Sequence, residues 1–239
     1  DTGTLTINTL TGLTPTFGTS TSTADGFTVQ ISNYSSSYQW AGTATASGSV
    51  AISNTGLVTV TGVVGATSST ATITTTRTNY ATGSATVSAT SLTLYTISYA
   101  GGSGATGSAP SSPSSVYSNA TFTTPANTFS RTGYTFAGWS TTAVASGTIY
   151  SNSSDSIAGT TTTYTPSASI ILYAKWTGNN YTVSFNANNG TGSITGLGIT
   201  AGTAKALTSN TTQITRVGYT FAGWNLAADG SGTSYANGA

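Results

Sequence analysis

The segment Arg131-Thr-Gly-Tyr-Thr-Phe-Ala-Gly-Trp139 recurs 85 residues later as Arg216-Val-Gly-Tyr-Thr-Phe-Ala-Gly-Trp224. A second pair of related segments lies upstream, where Tyr95-Thr-Ile-Ser-Tyr99 recurs 86 residues later as Tyr181-Thr-Val-Ser-Phe185. Two anchors with nearly the same offset define a repeat of roughly 80 residues, because self-similarity at a fixed spacing is the signature of repeated modules. The sequence therefore predicts two copies of one small module after residue 93.

Aromatic and polar residues alternate in the recurring segment. Tyr134 and Phe136 are two positions apart, so they lie on one face of a predicted strand. Gly138 allows the chain to turn Trp139 back onto the core, and Gly133 fits a positive φ or a bulge. Buried aromatic rings supply most of the hydrophobic stabilisation of so small a module. The pattern predicts that these rings are interior packing.

Arg131 completes the motif, and stacking of its guanidinium on the Trp139 indole would contribute about 0.5–2 kcal/mol. In the second copy we assign the same structural roles to the corresponding residues, Arg216, Gly218, Tyr219, Phe221, Gly223 and Trp224. A sugar-binding platform of aromatic rings is the alternative interpretation of both copies. Trp40 and Trp176 are also predicted to be core residues.

The chain before Tyr95 lacks the motif and shows a different pattern. Apolar and polar residues alternate over short stretches at 27–31, 50–52, 57–60 and 71–74, and turn signals such as Asn54-Thr-Gly56 separate them. Several short strands with frequent turns are typical of a β-sandwich. No 3.6-residue period runs for ten residues anywhere, so the sequence predicts a mostly all-β protein.

Charged residues make up only 4% of the 239 residues, and the formal net charge is +1. Ser and Thr occupy more than a third of the positions. The few bases are dispersed, so we expect no binding surface for nucleic acid. No stretch of about 18 apolar residues occurs, so we expect no membrane insertion. A nearly uncharged surface tolerates close self-association, because little repulsion opposes it.

Candidate catalytic and metal-binding residues are scarce. The chain contains no His, Cys or Glu, and its acids are Asp1, Asp25, Asp155 and Asp229. A serine nucleophile needs a base, and only Lys175 or Lys205 is available. Calcium prefers clustered carboxylates, so Asp155 beside Asn152 and Ser153 indicates an ordinary turn, with a weak ion site as the alternative. We therefore expect no enzyme activity, no cofactor and no metal site.

The first part of the chain resembles bacterial immunoglobulin-like domains. The resemblance is carried by Tyr38-Gln-Trp40, Ser49-Val-Ala-Ile52, Thr55-Gly-Leu-Val-Thr-Val-Thr-Gly62 and Ala71-Thr-Ile-Thr-Thr75. That family shows a Trp, a short strand, a hairpin and a closing Thr-rich strand in this order. The resemblance implies an Ig-like β-sandwich over residues 12–93, with residues 1–11 as a linker or the end of a preceding module.

The two later modules resemble the Listeria–Bacteroides repeat, as in the B repeats of internalin-type surface proteins. The Arg-x-Gly-Tyr-Thr-Phe-Ala-Gly-Trp motif at 131–139 and 216–224 carries the resemblance, together with Ile171-Leu-Tyr-Ala-Lys-Trp176. The resemblance implies small β-grasp-like modules in an elongated array, at residues 94–178 and 179–239. It also implies a place in large multi-module proteins of bacterial surfaces.

The second module, residues 179–239, contains no counterpart of Ser169-Ile-Ile-Leu-Tyr-Ala-Lys-Trp176. Truncation of the repeat is the expected reason. The alternative is that a strand from a neighbouring chain completes the sheet, since an unpaired edge is a template for another strand. Thr4-Leu-Thr-Ile7 is a candidate for such a strand.

These observations predict an extracellular structural module of a bacterial cell-surface, fibre or stalk protein. The partners expected of such a module are further copies of itself or neighbouring modules of the same protein. The alternative is an adhesin module that recognises a host protein or a glycan.

Overall fold

Strands and turns make up the described part of the chain in the computed structural model, which describes residues 9–143, 149–150 and 163–239. No α-helix occurs among these residues. Thr and Val are abundant in the strands because β-branched side chains fit a pleated surface. The predicted all-β class is confirmed. The Ig-like and β-grasp assignments stay predictions, and Thr4–Ile7 lies outside the described residues.

Seven strands form the first part of the chain, in two antiparallel sheets. They are β1 (Thr21–Thr23), β2 (Gly26–Gln30), β3 (Gln39–Ala44), β4 (Ser49–Ile52), β5 (Leu57–Thr61), β6 (Ser68–Thr76) and β7 (Gly83–Thr90). One sheet has the order β1-β2-β5-β4 and the other the order β3-β6-β7. The alternating stretches of the sequence therefore coincide with β2, β4, β5 and β6.

Both sheets contribute side chains to one core. The buried cluster consists of Phe27, Val29, Ile31, Val58, Val60, Val63, Ala71 and Ile73. Full burial of a side chain of this kind contributes about 1.5–3 kcal/mol, so the cluster holds the two sheets together. Trp40 packs against the cluster and is partly buried, and its Nε1 donates a hydrogen bond to the Ser35 carbonyl at 2.9 Å.

Nine further strands lie in the described part of the first repeat. They are β8 (Leu94–Ala100), β9 (Thr106–Gly107), β10 (Ser115–Tyr117), β11 (Phe122–Thr123), β12 (Phe129–Ser130), β13 (Tyr134–Ser140), β14 (Ile149–Tyr150), β15 (Thr163–Tyr164) and β16 (Ile170–Gly178). Five of them form a sheet of order β10-β8-β16-β13-β14, and two-stranded pairs join β11 to β15 and β9 to β12.

Strand β16 is the central strand of the five-stranded sheet. It runs antiparallel to β13, with Trp139 opposite Ala174 and Phe136 opposite Trp176. On its other side, the Thr96 N–H donates to the Ser169 hydroxyl at 3.0 Å, near the start of both strands.

The indole Nε1 of Trp176 donates to the Gly101 carbonyl at 2.8 Å, near the end of both strands. Both strands thus run from the first of these contacts to the second in the same direction, so β8 and β16 are parallel.

The second repeat contains six short strands, and every residue from 163 onward is described. They are β17 (Asn180–Val183), β18 (Thr191–Gly192), β19 (Leu197–Thr200), β20 (Ile214–Thr215), β21 (Trp224–Asn225) and β22 (Ser234–Tyr235). They form three separate antiparallel pairs, β17-β19, β18-β20 and β21-β22.

Two of the three pairs of the second repeat reproduce registers of the first. Trp139 is opposite Tyr150 in the first repeat, and Trp224 is opposite Tyr235 in the second. The pair β12-β9 and the pair β20-β18 also match position for position with an offset of 85 residues. The sequence repeat is therefore a repeat of hydrogen-bonded structure.

Two compact units are distinguished by the contacts within the chain. The first comprises Asp1–Ser98, Ser111–Pro125 and Thr162–Ile171, and the second comprises Tyr99–Pro110, Ala126–Thr161 and Leu172–Ala239. The unit boundaries fall within β8 and β16. The module boundaries predicted at residues 12, 94 and 179 stay predictions.

Candidate functional site

The motif of the first repeat is organised by its two glycines. Gly133 has φ 82°, a left-handed value that places the turn before β13. Gly138 has φ 128° and lies where the register of β13 against β16 shifts, which marks a β-bulge. The bulge turns Trp139 inward, and this side chain is 0% exposed.

Three aromatic rings surround the Trp139 indole. The ring centroids of Tyr99, Phe129 and Phe136 lie 5.1, 6.2 and 5.2 Å from it, all in edge-to-face arrangements. Such pairs contribute about 0.5–1.5 kcal/mol each beyond the area they bury. Burial raises the pKa of the Tyr99 hydroxyl to about 12. This cluster is interior packing and leaves no open surface for a ligand at Trp139.

The arginine of the motif stacks on the tyrosine three residues later. The Arg131 guanidinium carbon lies 3.9 Å from the Tyr134 ring centroid, and Arg216 lies 4.0 Å from that of Tyr219. The expectation that Arg131 stacks on Trp139 is therefore wrong. A β-turn brings residues i and i+3 together at the surface, whereas the Trp139 indole is fully covered.

The same turn occurs once in the first module. The Arg77 guanidinium carbon lies 4.7 Å from the Tyr80 ring and 5.5 Å from the Tyr38 ring. Asn79, with φ 69°, takes the place of the motif glycine. The analysis of the sequence missed this site, although the Arg-x-Asn-Tyr spacing matches Arg-x-Gly-Tyr. An open polar hollow beside it is lined by Ser37, Gln39, Thr76, Arg77, Thr78, Tyr80 and Thr82.

Asn179 connects the two repeats. Its backbone N–H donates to the Gly133 carbonyl at 2.8 Å, and its carbonyl accepts from the Ala201 N–H at 2.9 Å. The Thr135 hydroxyl donates to its side-chain oxygen at 2.7 Å. One residue therefore ties the motif turn of the first repeat to the end of β19 in the second. No signal in the sequence pointed to Asn179.

Tyr134 also takes part in this junction. Gly202, with φ 80°, lies so close to Tyr134 that a Cβ at this position would overlap the tyrosine hydroxyl. The junction therefore uses the hydroxyl end of the same tyrosine on whose ring Arg131 stacks. Tyr134 is a junction residue as well as a motif residue.

The second copy of the motif has the same local geometry. Gly218 and Gly223 have φ 79° and 140°, and the Phe221 and Trp224 rings lie 4.9 Å apart. Phe185 is the counterpart of Tyr99, and its ring lies 4.5 Å from Trp224. Both copies thus form the turn, the glycine with positive φ before the tryptophan, and the contact of that tryptophan with an aromatic ring about 40 residues earlier.

Burial differs between the copies. Tyr219 is 67% exposed and Phe221 36% exposed, whereas Tyr134 and Phe136 are partly buried. The Nε1 atom of Trp224 is buried and has no hydrogen-bond partner. The sequence predicted interior positions for both copies. Tyr219 departs from this because residues 181–239 provide neither a strand equivalent to β16 nor a neighbour like Gly202, which packs on Tyr134.

The carboxylates of the described residues support turns. Asp25 Oδ1 accepts from the Gly62 N–H at 2.9 Å. Asp229 Oδ1 accepts from the hydroxyl and the N–H of Ser231, and these bonds hold the pKa of the Asp229 carboxyl below its usual value. No three metal-ligating side chains come together in the described ranges. Asp155, with Asn152 and Ser153, lies outside them.

Within the part of the chain that the structure describes, a helix of the length and apolar character needed to cross a membrane is not found.

Comparison with known proteins relates the chain to one family. The Listeria-Bacteroides repeat domain matches residues 95–175 and again residues 181–239. Repeats of this family occur in surface proteins. A protein of Evansella cellulosilytica described as a Gly-rich membrane protein is 34% identical over 110 residues, which cover 44% of this chain and 12% of that protein. No solved structure matches the chain.

Proposed function

The chain belongs to the Listeria-Bacteroides repeat domain family, and from this premise we propose that it is a structural module of a bacterial cell-surface protein, fibre or stalk. Its task is to add length and to hold other parts of the protein away from the cell. Its location in this proposal is extracellular, on the bacterial surface. Its partners are neighbouring modules of the same protein or further copies of itself.

The observation that carries the proposal is the hydrogen-bonded junction at Asn179. The backbone N–H of this residue and its side-chain oxygen bond to Gly133 and Thr135 of the first repeat, while its carbonyl bonds to Ala201 of the second. A typical intramolecular hydrogen bond contributes about 0.5–1.5 kcal/mol net. Two such bonds cross from Asn179 to the first repeat, and with Tyr134 against Gly202 they fix the orientation of one repeat on the next. Fixed orientation is what a spacer needs.

The low charge supports the same role. With 4% charged residues and a net charge of +1, the surface consists mainly of hydroxyl and amide groups. Such a surface allows dense packing, because like-charge repulsion between neighbouring molecules is weak.

We further propose that the chain has no catalytic activity. The arginines stack on tyrosines, and Asp25 and Asp229 accept hydrogen bonds within turns. These groups stabilise local structure in the described residues, which supports the proposal.

Single-molecule pulling on the whole chain tests the spacer role. Asn179→Ala should lower the force at which the repeats unfold, because tension crosses the junction. Asn186→Ala is the matched control, since it also removes a side-chain acceptor at 2.8 Å, from Asn188, but lies away from the junction. Equal unfolding forces for the two variants would contradict the proposal.

A glycan-binding adhesin module is the second candidate, and the hollow beside Arg77 favours it. Tyr38 and Tyr80 flank the guanidinium, and hydroxyl and amide side chains line the rest. Aromatic faces with hydroxyl partners suit a sugar. A glycan array probed with the chain and with Arg77→Ala decides this candidate. Binding of one glycan by the unmodified chain, and no binding of that glycan by Arg77→Ala, would favour the adhesin role.

A further inference from the structure

The guanidinium of Arg77 is held in place by two aromatic rings. Its carbon lies 4.7 Å from the Tyr80 ring centroid and 5.5 Å from that of Tyr38. The two rings also contact each other edge to face, with their centroids 5.8 Å apart. A cation whose position is fixed in this way loses less side-chain freedom when it binds a ligand. Arg77 is therefore pre-organised for a ligand that accepts hydrogen bonds.

The hollow beside Arg77 carries a positive charge. Arg77 is exposed, and it is the only charged residue between Asp25 and Arg131. The carboxylate of Asp25 accepts the Gly62 N–H at 2.9 Å and so supports a turn. None of the described residues that line the hollow is acidic. An anionic ligand would therefore meet a cation and no opposing carboxylate in the walls.

The remaining walls of the hollow are hydroxyl and amide groups. Apart from Arg77 and Tyr80, the lining side chains are uncharged and polar, namely Ser37, Gln39, Thr76, Thr78 and Thr82. A hydroxyl group both donates and accepts hydrogen bonds, and an amide offers both kinds of group as well. Such walls match a ligand that carries many hydroxyl groups of its own.

Hydroxyl groups also lead away from the hollow across the sheet β3-β6-β7. Alternate residues of β6 and β7 face outward, because the residues between them are more deeply buried. The outward residues are paired across the two strands, Thr70 with Ser88, Thr72 with Thr86, and Thr74 with Ser84. The row on β6 ends at Thr76, which lines the hollow. The hollow and this uncharged face thus form one continuous polar surface.

We propose that the hollow beside Arg77 binds an acidic sugar of a saccharide chain. The sugar carboxylate accepts two parallel hydrogen bonds from the Arg77 guanidinium, a strong and geometrically specific pairing. Neighbouring neutral sugar units lie on the hydroxyl rows of β6 and β7. This assignment deepens the adhesin candidate, on whose glycan site it rests, and it is independent of the spacer role.

Titration of the isotope-labelled whole chain with two matched sugars tests the assignment. Methyl β-glucuronide is the probe, and methyl β-glucoside is its neutral counterpart, which lacks only the carboxylate. The glucuronide should cause saturable shifts of the amide signals of residues 37–39 and 76–82 and of the Arg77 Nε–H. The glucoside should bind at least about tenfold more weakly, since it loses a charge-assisted hydrogen-bond pair.

Two further probes define the ligand class. A methyl sialoside distinguishes the two common carriers of a sugar carboxylate, and the acidic sugar that binds more tightly is the class that the hollow takes. A blocked aspartate amide carries a carboxylate without sugar hydroxyls, and it should bind more weakly than either acidic sugar. Added salt should weaken the binding of the acidic sugars, because the contact is between opposite charges near the surface.

The matched variants are Arg77→Lys and Arg216→Lys. Arg77→Lys keeps the charge but cannot donate two parallel bonds from a planar group, so its affinity for the acidic sugar should fall at least about tenfold. Arg216 stacks on Tyr219 in the same way but lies in another module, and Arg216→Lys should leave the affinity unchanged.

The assignment is overturned if the glucoside or the blocked aspartate binds as tightly as the acidic sugars, or if no probe shifts residues 37–39 and 76–82. Tight binding of the glucoside would keep the hollow as a glycan site and remove only its preference for an acid. A lack of binding by every sugar would count against the adhesin candidate as well. Neither result bears on the pulling experiment, so failure of the assignment and failure of the spacer role are distinguishable.

Discussion

The guanidinium of Arg131 lies 3.9 Å from the ring of Tyr134, and the same i, i+3 stack occurs at Arg77 with Tyr80 and at Arg216 with Tyr219. In each case the tyrosine N–H donates to the arginine carbonyl at 3.0 or 3.1 Å, across a turn whose third residue has a positive φ. Every arginine of the chain is used in this way. The stack is thus a recurring local feature that accompanies the turn.

The first prediction concerns this stack. A double-mutant cycle with Arg131→Ala and Tyr134→Leu should give a coupling free energy of about 0.5–1 kcal/mol, the range for a cation–π contact at an exposed site. Chemical denaturation of the four variants measures it. Arg131→Ala with Phe136→Leu is the control pair, and it should show no coupling. A coupling near zero for the first pair would mean that the stack does not stabilise the turn.

The second prediction compares the fully buried indole of Trp139 with the partly buried indole of Trp224. Trp139→Ala should lower the free energy of unfolding by about 3–5 kcal/mol, because the ring is fully enclosed in a closed sheet. Trp224→Ala should lower the free energy of unfolding by clearly less, since the surroundings of Trp224 are already open to solvent on one side. Denaturant titrations that follow each repeat by resolved amide signals provide the measurement. Equal decreases in the free energy of unfolding for the two variants would show that the second repeat is packed as completely as the first.

The third prediction concerns the junction glycine. Gly202→Ala should destabilise the chain more than Gly230→Ala. Both positions have a left-handed φ, at 80° and 82°, so both variants carry a similar backbone penalty of about 1–2 kcal/mol. Only at Gly202 would the new methyl group overlap the Tyr134 hydroxyl. Thermal unfolding of the two variants makes the comparison. A Tm for Gly202→Ala that is no lower than that for Gly230→Ala would argue against close packing at the junction.

The fourth prediction concerns alkaline pH. The pKa of Tyr99 is about 12 in the folded chain against 10.0 in a model compound, because burial disfavours the phenolate. The folded state therefore binds more protons than the unfolded state between these values. Stability from this group is present in full below pH 10 and is lost as the pH rises towards 12.

Denaturation midpoints across this window, compared with Tyr99→Phe, measure the effect. The denaturation midpoint of Tyr99→Phe should fall less over this pH range than that of the unmodified chain. An identical decline for both chains would mean that Tyr99 titrates normally.

Local features of the fold could be predicted from the sequence. The repeat, the turn at Gly133 and the inward turn of Trp139 depend on residues within one short segment, and the structure contains the turn and the buried indole. The strands of the first module also follow the alternation, because a period of two directly sets which side chains face the core.

Non-local features could not be predicted in the same way. The exposure of Tyr219 depends on whether a strand 40 or so residues away along the chain covers it, and the motif itself is identical in the two copies. The partner of Arg131 was misassigned because spacing alone does not show that Trp139 is already enclosed. The role of Asn179 depends on the relative placement of two repeats, which no pattern within one repeat encodes.

The central claim is that the two repeats share one framework, and that no strand within residues 181–239 covers the second copy of the motif as β16 covers the first. Site-resolved amide hydrogen exchange of the unmodified chain tests it most directly. We expect strong protection at residues 134–140 and rapid exchange at the equivalent residues 219–223, which precede the short pair β21-β22. Comparable protection of the two stretches in the isolated chain would contradict the account.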